Sequence, residues 1–158
     1  MLDALPFRGG VWLFCPAFVL HVIEEWPRFT RWARTHASEQ FTRRQYNTIH
    51  IAGIAASLVT VTVVWFFPNR FGVFLFFTFA FAPSAFFNTL FHARASVLTK
   101  TYCPGIITAI AIHLPLFFIV AHRACAEGLL TSGALVVSLS MAGAFHTWEV
   151  GHNVFKAW

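Results

Sequence analysis

His21 stands three and four residues before Glu24 and Glu25, inside the apolar run that ends VLHVIEEW. On a helix those spacings put an imidazole and a carboxylate on one face. Asn88 and His92 repeat the four-residue step. His146, Glu149 and His152 follow at steps of three, spreading over about 120° of one helical face, and Asn153 points nearly the same way as His146. Imidazole with carboxylate is a donor set for iron, zinc or manganese. Helical bundles that hold two metal ions project Glu and Glu-x-x-His ligands inward from several helices. This chain offers more histidine and fewer carboxylates than that plan, and its C-terminal pair reads His-x-x-Glu.

Each group also has a plainer use. A lone histidine in a membrane helix commonly hydrogen-bonds its neighbour. Glu24 and Glu25 would serve as a helix end meeting the interface, paired to Arg28 or Arg31. His146, Glu149 and His152 would do the same beside Lys156. His36, His122, Glu39 and Glu127 are read only in that plain way.

The elements that must position these residues are apolar. The chain has 158 residues, 58% hydrophobic and 11% charged, with 20 Phe and 6 Trp. A soluble domain carries about 25% charged residues, and a core this small could not hide so much apolar surface. The composition excludes a soluble enzyme, a nucleic-acid binder and a disordered chain. The net charge of +5 belongs to loop arginines facing anionic head groups. Cys15, Cys103 and Cys125 form no CxxC pair and no disulfide framework. Met-Leu-Asp puts an acid where a signal peptide has Lys or Arg, so the first apolar run is expected to stay in the mature protein.

Runs of roughly 20 residues, enough for about 30 Å of hydrocarbon, recur at about 6–26, 46–67, 71–93, 106–122 and 129–155. The expected fold is an all-α integral membrane protein, one domain over 1–158, a bundle of five transmembrane helices. A basic segment at about 27–45 should lie on the membrane surface. Small residues at Ala52/Ala56 and Gly53/Ser57 allow close helix approach. With alternating spans, one side receives eight Lys/Arg (27–45, Arg94, Lys100, Lys156) and the other three (Arg8, Arg70, Arg123). The positive-inside rule then puts the N-terminus outside and the C-terminus in the cytoplasm. His21, His50, His92, His146 and His152 all fall near the cytoplasmic ends of spans. His113 lies about eight residues, or roughly 12 Å, into the fourth. Every span brings at least one histidine to the same half of the bilayer, which is the main sign of a shared site.

The motifs HxxEE at 21–25, NxxxH at 88–92 and HxxE at 146–149 resemble, in that order, the family of small bacterial multi-pass membrane proteins named for the HXXEE motif. The resemblance spans nearly the whole chain and implies a bacterial inner-membrane location. It supplies no mechanism. Membrane desaturases and hydroxylases, which gather histidines around two irons, are partly similar, but their HxxHH and HxxxH boxes are missing here. CAAX-type intramembrane proteases pair two glutamates with a following arginine. Glu24-Glu25-Trp-Pro-Arg28 is one residue short of that spacing.

Taken together, the residues suggest a membrane metalloenzyme with a binuclear His/Glu site, acting oxidatively on an apolar or lipid-like substrate with an electron donor. The expected ligands are His21, Glu25, His50, His92, His113, His146, Glu149 and His152, holding two iron ions, or zinc or manganese. Glu24 would bridge the metals or move protons, and Asn88 would orient His92. A hydrolase or isomerase with Glu24 or Glu25 as general base, using one metal or none, is the alternative. A metal or proton carrier ranks third, because the outer halves of the spans lack polar groups.

Overall fold

The computed structural model describes residues 5–155, and within them every regular element is helical. We number the helices α1 (Phe7–Glu25), α2 (Phe29–His36), α3 (Arg43–Phe66), α4 (Arg70–Thr99), α5 (Ile106–Ala126) and α6 (Ser132–Val150), the last continuing as a π-turn over Gly151–Phe155. Four of them, α1, α3, α4 and α5, are long and apolar enough to cross a membrane. The expected fifth span is present as a helix. Its last turns carry His146, Thr147 and Glu149, which lower its hydropathy. Lys156, counted above with the cytoplasmic charges, lies outside the described residues.

Polar side chains start three of these helices. Thr42 and Gln45 form a reciprocal capping box at α3, and Asn69 and Thr131 cap α4 and α6. Each satisfies a backbone N–H that the first helical turn leaves without a partner. Ile51, Val59, Phe66, Phe71 and Val97 point outward, each more than 60% exposed. Such a surface is suited to lipid rather than water. The phenylalanines of α4 divide between two uses: Phe76, Phe77 and Phe81 pack with Phe14 and Phe117 in the core, while Phe71 and Phe79 face out. Gly53 meets α1, since a Cβ there would lie 3.0 Å from the Phe18 ring, and Ser57 is buried. Ala52 and Ala56 are exposed instead.

The basic segment forms α2, but its apolar side does not lie open to lipid. Phe29, Trp32 and Ala33 are buried against Phe41, Tyr46 and Ala95, so α2 roofs the bundle where α1, α3 and α4 end. Interruptions of α-helical register fall close to the polar residues. Phe77–Phe87, which contains Pro83, and Ala109–His113 are π-helical. Proline cannot donate to the ladder and crowds the preceding turn, and the wider π register absorbs it. Such register breaks frequently accompany functional sites.

Candidate metal centre

Glu25 sits 3% exposed at the end of α1, and three histidines from three helices turn Nε2 toward it. His50 Nε2 of α3 lies 2.8 Å from Oε2, His92 Nε2 of α4 lies 3.1 Å from Oε1, and His21 Nε2 of α1 lies 3.5 Å from Oε1. The Tyr46 hydroxyl donates to Oε2 at 3.1 Å. A carboxylate this buried needs such partners, since an unpaired charge away from water is very costly.

The far side of each ring is held as well. His50 Nδ1 meets the Tyr46 carbonyl at 2.8 Å, and His113 Nδ1 meets the Ser84 carbonyl at 3.1 Å. A carbonyl only accepts, so both Nδ1 atoms carry hydrogen and the neutral rings keep their lone pair on Nε2. His21 Nδ1 meets Thr108 Oγ1 at 2.8 Å. That hydroxyl donates onward to Glu24 Oε2 at 2.5 Å, so it accepts from His21. His92 Nδ1 lies 3.3 Å from Cys103 Sγ, a thiol whose pKa burial pushes up and which therefore stays S–H at neutral pH. Histidine ligands of metals are commonly anchored in this way through the second nitrogen.

Among the described residues His21, Glu25 and His92 bring one donor atom each within 4.8 Å of one another. The 3.1 and 3.5 Å edges to Glu25 approach the ~3 Å spacing of neighbouring donors around an ion with bonds of about 2.1 Å. His92 Nε2 makes no aligned hydrogen bond despite its short distance to Oε1, an arrangement suited to a shared cation rather than to a proton. Beside the group lies a cavity of about 120 Å³, lined on its other side by His146, Glu149 and Asn153. Its size admits an ion and a few waters.

Several expected roles change. Glu24 neither faces Glu25 nor bridges anything within the cavity. It accepts the backbone N–H groups of Gly105, Ile107 and Thr108 at 3.1, 3.1 and 2.7 Å, together with the Thr108 and Tyr102 hydroxyls. It is the N-terminal cap of α5, supplied from α1. Burial, and then the Glu24 carboxylate, push the Tyr102 phenol up to about 12, which keeps it a donor. Asn88 makes no hydrogen bond to His92; its side-chain NH2 donates to His21 Nε2 at 2.8 Å, and an ion taken up by His21 displaces that contact. His152 turns outward and stacks on Trp148, 5.7 Å between ring centroids, because both sit on the opposite side of α6 from His146 and Asn153. His113 is buried with its ring 4.8 Å from that of His21. His146 Nε2 is buried without a hydrogen-bond partner. His36 packs at a tilt against Trp32, 5.3 Å between ring centroids, and His122 is exposed, both away from the centre.

Tyr46, Cys103, Gly105 and Thr108 were not singled out by sequence. Tyr46 was the most accessible of them, one turn before His50 on the same face. Gly105 closes the centre from above. Its φ is +101°, and a Cβ there would stand 2.7 Å from Cε1 of both His21 and His92 and 3.0 Å from Glu25 Cγ. Gly105→Ala should therefore spread the two rings and cost about 1–3 kcal/mol in backbone strain alone. Metal retention after dialysis, read with the thermal midpoint in detergent, should fall in both measures. An unchanged pair of values would separate Gly105 from the rings.

A buried His/Glu centre at one end of a bundle of apolar membrane helices defines the class: a multi-pass membrane protein with a polar core site. The family described as "Protein of unknown function with HXXEE motif" matches residues 12–120, and the chain belongs to it. That match takes in HxxEE, NxxxH and His113, and stops before α6. No curated protein and no solved structure matches the chain.

Proposed function

We propose that the protein is a membrane-embedded metalloenzyme in which His21, Glu25 and His92 hold a divalent ion, with His50 as a further donor. One observation carries this reading: three rings anchored through Nδ1 present Nε2 to the two oxygens of one buried carboxylate. Two imidazoles and a carboxylate that leave other positions open suit iron(II) and dioxygen. Hydroxylation or desaturation of an apolar substrate is the reaction class we favour, with electrons from a separate donor. His146 and Glu149, across the cavity, are the donors available to a second ion. The chain's own part is to keep the rings oriented, to exclude water with Phe18, Phe29 and Phe91 at the cavity wall, and to keep charge at Glu25 where an ion would need it.

We take α6 as the fifth span, with the N-terminus outside and the site-bearing ends of the helices at the cytoplasmic face of a bacterial inner membrane. The eight-to-three distribution of Lys and Arg supports that orientation.

The alternative is metal-free: Glu25 as general base of a hydrolase or isomerase. The 2.8 Å contact to His50, whose Nε2 would carry a proton when no ion is bound, and the Tyr46 hydroxyl favour it, since both would hold an ionised carboxylate in place. Glu24, committed to its cap, is not available for that part. Elemental analysis of detergent-purified protein separates the two. We expect about one or two equivalents of iron, or else zinc or manganese, per chain. His36→Ala and His122→Ala should leave that content unchanged. Metal-free wild-type protein with full activity would reject the metal reading.

A further inference from the structure

The inner cavity is too small for a substrate, since pockets for organic ligands span about 300–1,000 Å³. A second cavity of about 500 Å³ lies between the last turns of α4 and α6. Phe87, Leu90, Phe91 and Leu98 form much of its wall. Phe91, His146 and Val150 line both cavities, so the two adjoin across the His146 ring. Leu90 is 48% and Leu98 68% exposed, which makes the outer cavity a groove open sideways to lipid.

Its charge is one-sided. Arg94 lines the groove, no acidic residue does, and Arg94 is exposed with no ion pair or hydrogen bond among the described residues. It stands five residues before the end of α4, so its long stem reaches the head-group level while its methylenes stay along the apolar wall. A guanidinium in that position forms two parallel hydrogen bonds to a carboxylate or a phosphate. An aliphatic chain laid along the apolar wall then runs past Phe87 and Phe91 toward His146.

We propose that this groove binds a single-chain amphiphile with an anionic head, carboxylate or phosphate, held by Arg94 with the chain directed to His146. The proposal names the substrate class for the metalloenzyme reading and rests on it, yet binding itself needs no metal.

The test uses the full chain in nanodiscs of neutral phosphatidylcholine and three photoreactive probes carrying a mid-chain diazirine: palmitate, lysophosphatidic acid and hexadecanol. Crosslinks mapped by mass spectrometry should fall on the inner groove wall, Phe87, Leu90 and Phe91, for one or both anionic probes. Hexadecanol should label those positions at least about tenfold less, as should the anionic probes on Arg94→Gln, because a charge-assisted bond is lost. Arg94→Lys should keep part of the labelling. Labelling by palmitate alone identifies a free fatty acid as the source, by lysophosphatidic acid alone a phospholipid head; either supports the groove. Equal labelling by hexadecanol, indifference to Arg94→Gln, or crosslinks spread over Val59 and Phe66 would overturn it. Metal is measured in the same preparations. Groove labelling without metal rejects the metalloenzyme reading and keeps the groove, whereas metal without groove labelling does the reverse.

Discussion

Glu25→Gln is expected to abolish metal retention while leaving the fold as stable as before, or more so. The loss follows from charge. A neutral amide is a poor ligand, and three imidazoles alone leave the ion's charge uncompensated in a dry site. Changes to groups that merely support metal ligands cost 10–100-fold in affinity, so loss of a direct ligand should exceed about 100-fold. The gain in stability follows from desolvation. Glu25 is a buried carboxylate, and its removal leaves no orphan charge because the imidazoles facing it can lose a proton, so a neutral amide of the same shape avoids the desolvation cost. The glutamine oxygen, in the place of Oε2, still accepts from the Tyr46 hydroxyl, and its NH2, in the place of Oε1, can donate to the lone pair on His92 Nε2. Elemental analysis and thermal melting of the metal-stripped protein in detergent check both halves. His92→Ala should also lose metal, though it opens a hole beneath Gly105 and melts lower. Full retention of metal by Glu25→Gln would show that the ion is not held at Glu25.

How much of this was legible in sequence depended on whether the information was local. The spacing of His21 and Glu25 on one helix is a local fact, and apolar run lengths located every long helix. The gathering of His50, His92 and His113 about that pair was inferred from depth alone. It needed only that alternate helices run in opposite directions. What sequence left open is which way a side chain turns at a helix end. Glu24 and Glu25 are neighbours of identical chemistry, about 100° apart on α1. One turns into the bundle and the other outward to the free N–H groups of α5, a choice decided by where Pro104-Gly105 arrives from elsewhere in the chain. His152 was grouped with His146 and Glu149 through steps of three, yet six residues is not a whole number of turns. Asn153, at a step of seven from His146, comes back to the cavity. Asn88 was assigned to its own helix neighbour His92, while the tertiary contact to His21 prevailed. The roof made by α2 was hidden for the same reason: a basic amphipathic segment reads alike whether lipid or protein covers its apolar side.

Glu24→Ala should have the opposite profile to Glu25→Gln: a large loss of stability with much of the metal retained. The carboxylate receives three backbone N–H groups and two hydroxyls from the start of α5. Alanine leaves those donors at a helix N-terminus that also loses a favourable anion. Caps are worth 0.5–2 kcal/mol and bonds to charged groups 1.5–3 kcal/mol each, but they share one side chain and water recovers part, so about 3 kcal/mol in total is expected. For a chain of this size that is a fall of roughly 10 °C in midpoint. Thr108, freed from Glu24, would loosen its hold on His21 Nδ1, so affinity should drop several-fold rather than vanish, because Glu25, His50 and His92 keep their own anchors. Glu24→Gln should fall between, since its amide oxygen still accepts while its NH2 meets a backbone donor. The comparison is a melt and a metal titration on Glu24→Ala, Glu24→Gln and wild type, made well below the lowest midpoint. If Glu24→Ala instead melts with wild type and holds no metal, Glu24 is a ligand, and the α5 cap is incidental to what the residue does.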